Sequence, residues 1–282
     1  YEDNGYRRPY AVTERAVTAA TTQDLQKFFQ MYYAPNNLVL SIAGDVDPDH
    51  AIRQVNRAFA GTVARKLPVD RGVPDEKLDR NKLRAYEGDI AAAYLLIGWL
   101  APAVGSPDYP AFVVASTALG GGKGSMMFQE LRQKQGIGYE IGTMYPRLRY
   151  QSHMVAYVVT DPYKRLLPGR TPNMVLDDAK QAILTLTESL RTTPLSPEDL
   201  ERAKGYAIGT YALKHQHLAE RAYLLGWAEA VGLGYGFDSA YADAISKVTA
   251  DDVKRVAQKS LTNYATVLVL PKTQSTPTPK PD

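Results

Sequence analysis

The side chains that could do chemistry in this chain are few. It has four histidines, His50, His153, His215 and His217, and no cysteine. Cysteine nucleophiles, thiolate zinc sites and disulfide frameworks are therefore excluded. A serine nucleophile is poorly supported, because no G-x-S-x-G elbow occurs and Ser125, in Gly124-Ser125-Met126, lacks the flanking pattern. The run from Gly120 to Ser125 is glycine-rich like a phosphate loop. A Walker motif, however, needs Ser or Thr directly after the Gly-Lys pair and a Gly five positions before that Gly. Those positions hold Gly124 and Thr117. The run reads instead as a hinge before the next helix. His217 and Glu220 would lie one helical turn apart, but the inverted zinc motif H-x-x-E-H needs a second His where Arg221 stands, so no metal ligands are assigned and the stretch reads as a polar helix junction facing solvent. Arg132 and Tyr139 remain. A guanidinium and a phenol converging on a groove can donate hydrogen bonds to a substrate carbonyl or to the oxyanion of a tetrahedral intermediate. The ordinary alternative is a last-turn Arg favoured by the helix dipole beside a half-buried strand Tyr.

The elements that must position this pair follow from periodicity and punctuation. Pro107-Asp108 opens a helix over 109–119, and a helix over 125–135 follows the glycines, with Arg132 in its last turn and Gly136 at its C-terminal turn. Residues 91–100 read as a strand, and 137–145 and 154–160 as paired strands, which puts Tyr139 at the start of one. The prolines and glycine of 161–172 read as an irregular excursion. Helices are expected at 173–192 and at 197–217, the latter with Ser196 as cap and Asp199 closing a capping box, then shorter helices to 260 and a last strand at 266–270. The proline-rich tail 271–282 has no packing pattern.

Towards the N-terminus, Thr21 and Asp24 form a capping box ahead of an amphipathic helix whose apolar face is Leu25, Phe28, Phe29 and Tyr32, ended by Pro35-Asn36. Residues 38–43 are expected as a strand. After Gly44-Asp45, Pro48 opens a second amphipathic helix that Gly61 ends. Residues 62–83 show no sustained period and read as a linker. An ungapped offset of about 228 residues pairs Thr21 with Thr249, Asp24 with Asp252, Leu25 with Val253, Phe28 with Val256 and Leu40 with Leu268, so a capped helix running into an apolar strand occurs twice. Were these equivalent ends of two similar domains, on the order of 145 residues would be missing ahead of the first copy. The opening Tyr1-Glu2-Asp3-Asn4-Gly5 resembles neither a signal peptide nor a start product, and a fragment is expected.

At 282 residues, 45% apolar and 22% charged, the chain can bury one large or two ordinary cores. Its net charge is +3 without a dense basic run, which argues against nucleic acid as partner. The longest apolar run, Ile90–Leu100, is interrupted by Gly98 and is far short of the ~20 residues of a membrane helix, so no membrane partner is expected.

The string from Leu119-Gly120-Gly121 through Ser125-Met126-Met127-Phe128-Gln129-Glu130-Leu131-Arg132 to Gly136-Ile137-Gly138-Tyr139, together with Tyr32-Tyr33-Ala34-Pro35-Asn36-Asn37 and Gly44-Asp45, resembles the pitrilysin and mitochondrial-processing-peptidase family of zinc peptidases, the inverzincins. The resemblance runs from about Tyr6 to Leu270 and covers that family's second, zinc-less domain plus the end of its first. It implies an α+β, LuxS/mitochondrial-processing-peptidase-like fold, an antiparallel sheet backed by helices, as one complete domain and a partial copy. On that basis 1–61 is the C-terminal part of the first domain, 62–83 the linker, 84–270 the second domain and 271–282 the tail. The family's two domains face each other across a chamber for extended peptides. The first carries H-x-x-E-H and a distant Glu ligand, and the second supplies the Arg and Tyr, here Arg132 and Tyr139. This sequence has no H-x-x-E-H. The resemblance thus implies the C-terminal portion of a zinc metalloendopeptidase, a zinc-less partner subunit acting in trans, or a non-catalytic structural homologue. The fragment alone should be inactive, with no metal or cofactor site of its own. Zinc is expected in the full-length enzyme or a partner subunit. Expected partners are a peptide or unfolded-protein substrate, the missing N-terminal half or zinc-bearing subunit, and another copy as a homodimer. The Pro/Thr tail points towards a bacterial periplasm rather than cytoplasm.

Overall fold

Alternation along one strand sets the architecture: Ala93, Leu95, Ile97, Trp99 and Ala101 are all buried, while the residues between them are not. Strand side chains alternate faces, so this pattern commits one side of the sheet to a core. The computed structural model describes residues 1, 4–8, 11–70, 72–161 and 172–272. Their α-helices are α1 (Glu14–Ala19), α2 (Thr22–Tyr32), α3 (Pro48–Phe59), α4 (Tyr109–Gly120), α5 (Pro172–Thr192), α6 (Pro197–Leu213), α7 (Leu218–Ala230), α8 (Gly236–Ser246) and α9 (Ala250–Ser260). The strands are β1 (Lys82–Gly88), β2 (Ala93–Ala101), β3 (Glu140–Met144), β4 (Ser152–Thr160) and β5 (Ala265–Pro271). The chain divides into two compact units, one of Tyr1–Glu76 with Thr210–Tyr241, the other of Lys77–Gly209 with Ala242–Asp282. Among the described residues no helix is long and apolar enough to cross a membrane.

The second unit holds a five-stranded sheet in the order β1-β5-β2-β4-β3, antiparallel except for the parallel pair β1 and β5. β4 alternates as β2 does, burying Met154, Ala156 and Val158 opposite Trp99, Ile97 and Leu95. α4, α5 and α9 pack on one another, and with the sheet enclose Phe112, Leu119, Ile183, Val253 and Val256. This is the α+β arrangement of a mainly antiparallel sheet backed by helices that the sequence leads one to expect. Asp108, buried at the N-cap of α4, makes no capping bond with its side chain. Its carboxylate instead accepts from Arg255 (2.6 Å) and Lys259 (2.7 Å) of α9, tying two helices together.

In the first unit α2 carries the expected box: Asp24 N–H donates to Thr21 Oγ1 (3.2 Å) and Thr21 N–H to an Asp24 carboxylate oxygen (3.0 Å). Arg65 is held by reciprocal bonds with Asn36, at 3.0 and 2.9 Å, and donates to Gln30 O (2.8 Å).

Four expectations require correction. Residues 38–43 join no ladder among the described residues, although Leu38 has extended backbone, φ −119° and ψ 131°. A strand exists only with a neighbour, and apolar alternation does not supply one. β1 begins at Lys82, inside the expected linker; as an edge strand of mixed charge, Lys-Leu-Arg-Ala-Tyr-Glu-Gly, it carries little apolar pattern. The helix expected over 125–135 winds as a π-helix over Phe128–Lys134, with Gln135 N–H donating to Glu130 O (3.2 Å). The helix from Pro197 stops at Leu213, and His217 becomes the N-cap residue of α7. The irregular excursion over 161–172 and the tail after Lys272 fall almost wholly outside the described residues.

The carboxyl of Asp108 is held below the usual aspartate range by the hydrogen bond from Lys259 and then that from Arg255. A lowered folded pKa contributes stability above the unfolded value, about 3.9, and loses it as pH falls through the folded value. Asp108→Asn should therefore destabilise the second unit by about 1–2 kcal/mol at pH 7. In chemical denaturation across pH, the gap to the wild type should close below about pH 4.

Candidate functional site

The connection from Arg132 to Tyr139 is built by two reversals of backbone hand. Gly136 and Gly138 have φ +70° and +87°, values that L side chains adopt rarely. At Gly138 a Cβ would also stand 2.8 Å from Ile141 and 3.2 Å from Val158, so the turn needs hydrogen at that position. The π-helical winding before it is closed by Ile137 N–H donating to Leu131 O (2.7 Å). Leu131 is wholly buried, which anchors the helix while its neighbour Arg132 stays at the surface.

Arg132 donates through one guanidinium nitrogen to Gly138 O (2.7 Å), so the helix end and the strand start are stitched across the turn. Tyr139 is fixed by its backbone, N–H to Val159 O at 2.7 Å, and its side chain is 50% exposed. Both line one cavity of about 420 Å³, with Gly136, Gly138, Thr160 and Asp161 among its other walls. The two residues singled out by spacing thus come together. The arrangement brings a guanidinium and a phenol to one open cavity, donor types that suit a carbonyl or a developing oxyanion. Thr160 and Asp161 were not legible in advance. Thr160 closes a strand of apolar residues and is buried, donating nothing to a motif, and Asp161 was counted with the excursion.

Lys134 is mostly exposed and paired with Glu130 (2.8 Å), whose carboxyl it holds below the usual range. Arg147 has a buried guanidinium nitrogen. The glycine run is not a loose hinge either. Gly122 has φ +72°, and a Cβ there would lie 2.5 Å from the Tyr206 ring, so the run is packed against α6.

Among the described residues no three His, Cys, Asp or Glu side chains converge as a metal group. In the first unit, His215 Nε2 lies 2.9 and 3.0 Å from the two Asp238 carboxylate oxygens, and Tyr211 donates to Asp238 at 2.6 Å. This tethers the end of α6 to α8 within the first unit. His217 takes no part in it, and the two histidines that are neighbours in sequence share no ligand.

Comparison with known proteins bears on the same residues. The sequence profile of the peptidase M16 inactive domain matches residues 19–206, which include Arg132 and Tyr139. An uncharacterized zinc protease of Streptomyces coelicolor is 28% identical over 269 residues, 93% of this chain and 56% of its own length. One from Mycobacterium tuberculosis is 26% identical over 275 residues, 96% of this chain and 60% of its own. The chain thus spans somewhat over half the length of these relatives. Among solved structures, a peptidase M16 inactive domain from Pseudomonas fluorescens superposes with a TM-score of 0.80 at 18% identity, covering 97% of this chain and 64% of that one. A protease from Helicobacter pylori gives 0.77 at 19%, covering 92% and 61%. At such identities these two show the fold.

The turn makes a stability prediction of its own. Gly138→Ala combines a left-handed φ with contacts under 3 Å and should cost roughly 2–3 kcal/mol. Gly209→Ala, inside α6 with open space around it, should be neutral or stabilising by up to about 1 kcal/mol. Equal denaturation midpoints for the two variants would show that the Gly138 turn is not constrained.

Proposed function

Because this chain belongs to the peptidase M16 family and carries its inactive domain, we propose that it is the C-terminal portion of a zinc metalloendopeptidase that acts on extended peptides. The observation that carries this reading is the convergence of Arg132 and Tyr139 on one cavity inside the matched domain. The zinc protease relatives add support, and their greater length leaves room for a further domain. The described side chains offer no set of three ligands to a metal; in this reading zinc would be held by polypeptide outside these residues and would supply the Lewis acid that polarises the scissile carbonyl.

In this reading Arg132 holds a backbone carbonyl of the bound peptide. Its bond to Gly138 O fixes the plane of the guanidinium before substrate arrives, so little side-chain freedom is lost on binding. The Tyr139 hydroxyl donates to the scissile carbonyl oxygen as negative charge develops there. A donor placed ahead of time stabilises the transition state more than the bound peptide, which raises turnover rather than affinity.

Tyr139→Phe removes that donor and keeps the ring. In the complete zinc-loaded enzyme it should lower kcat by roughly 10²–10³ with a smaller change in KM. Arg132→Lys keeps the charge but loses the planar fork and should impair both constants. Lys134→Ala should leave them unchanged. Steady-state peptide cleavage checks all three, and wild-type turnover in Tyr139→Phe would remove this pair from the mechanism.

A further inference from the structure

β4 carries one buried row, Ser152, Met154, Ala156, Val158 and Thr160, and the row ends on a hydroxyl where packing alone would favour an apolar side chain. Valine has nearly the shape of threonine, so a hydroxyl buried here is costly unless a partner answers it. Thr160 is 5% exposed and stands opposite Ala93 of β2. The partner is buried Gly138, whose N–H donates to Thr160 Oγ1 at 3.4 Å. Among the described residues that N–H has no second acceptor. The carbonyl of the same glycine accepts from Arg132 at 2.7 Å. Gly138 is thus held at both of its polar groups, from the strand by Thr160 and from the helix by Arg132, while its backbone is left-handed at φ +87°. Glycine has no side chain to limit its own backbone, so these bonds and the packing around it must do so.

We infer that Thr160 is a positioning residue for Arg132, acting through Gly138. By holding the Gly138 N–H it sets where the Gly138 carbonyl stands, and that carbonyl sets where the guanidinium waits before a peptide arrives. A hydrogen bond of 3.4 Å is at the long end of the range and is weak in itself. The larger effect is the orphan that its loss creates, because a buried donor without an acceptor costs more than the bond contributed. With valine at position 160 the turn relieves that cost by rotating the N–H towards water in the open cavity that Gly138 and Thr160 line. The N–H and the carbonyl flank one α-carbon, so the carbonyl turns as well, and Arg132 regains the rotamer freedom its bond had removed. The coupling is a property of this chain, and it rests on the proposed function only for what Arg132 then holds.

The test compares Thr160→Val, which removes the hydroxyl and keeps the shape, with Thr160→Ser, which keeps the hydroxyl. Valine suits the buried row, so the circular dichroism of both variants should match the wild type. In the 282-residue chain, hydrogen exchange followed by NMR should quicken at least ~10-fold at the Gly138 amide in Thr160→Val, and also at the Arg132 guanidinium. The Ile137 amide, which donates to Leu131 O in the same turn, should exchange as before. Thr160→Ser should keep all three near their wild-type rates. In the complete zinc-loaded enzyme Thr160→Val should raise KM roughly three- to tenfold with less than about a twofold change in kcat, the cost of ordering one freed side chain on binding. In an Arg132→Ala background the same change should move KM by less than about twofold, because there is no longer a guanidinium to position. Wild-type exchange at Gly138 and Arg132 in Thr160→Val overturns the inference, and so does an equal acceleration in Thr160→Ser. A full additional rise of KM on top of Arg132→Ala also overturns it, since Thr160 then acts apart from Arg132. Quickened exchange at both groups, in an enzyme whose KM is indifferent to Arg132→Ala, upholds the coupling and counts against the proposed role of Arg132 alone.

Discussion

The buried row of β2 is the constraint on which the second unit depends. With Leu95, Ile97 and Trp99 committed to one side, a one-residue slip against either neighbour would turn the whole row outward. At ~1.5–3 kcal/mol for each large side chain kept from water, that penalty exceeds any single hydrogen bond in the sheet. Register therefore passes from β2 to β4 and from β4 to β3. Tyr139 is reached at the end of this sequence, where its N–H meets Val159 O one position before β3 begins. The place of a half-exposed phenol is thus decided by apolar residues that never touch it.

Arg132 reaches the same cavity by a different route, through the helix rather than the sheet. Buried Leu131 fixes the rotation of the π-helix, and π winding spreads the turn so that the residue after a core anchor can still face outward. The two left-handed glycines then bring the chain back within hydrogen-bond distance of the guanidinium, 2.7 Å at Gly138 O. Nothing here needs a buried charge. Among the described residues the buried carboxylate of the unit, Asp108, lies at α4, where two cations answer it and its role is to hold helices.

What was legible in the sequence was what is local. The Thr21 and Thr249 boxes, the α4 start and the pairing of 137–145 with 154–160 each rest on neighbours a few positions apart, and each could be read directly. The α+β class was expected from the resemblance rather than from any local pattern, and so was the pairing of Arg132 with Tyr139, since a last-turn Arg beside a strand Tyr has a commonplace explanation; the fold bears out the class, and the two side chains line one cavity. Charged β1 was hidden, since only its pairing with β5 makes Lys82–Gly88 a strand. The glycine run was misjudged because crowding by Tyr206, 84 positions later in sequence, is a tertiary fact. Thr160 was invisible for the same reason, as a residue that ends a strand becomes a cavity wall only once the neighbouring turn is folded beside it.

The two copies of the capped helix separate two contributions that ordinarily arrive together. Cap geometry and helix length are the same in α2 and α9, so they are set by the Thr-x-x-Asp box and the residues within one turn of it. Burial is not the same, so it is set by what stands opposite. An isolated helix of 11 residues is marginal in water, and in proteins most of its stability comes from its packed face. α9 has that support from α4, α5 and β2. α2 presents a larger apolar face, with two phenylalanines where α9 has Val256 and Ala257, and its rings pack on one another instead, Phe28 with Tyr32 at 4.7 Å and Phe29 with Tyr33 at 4.8 Å.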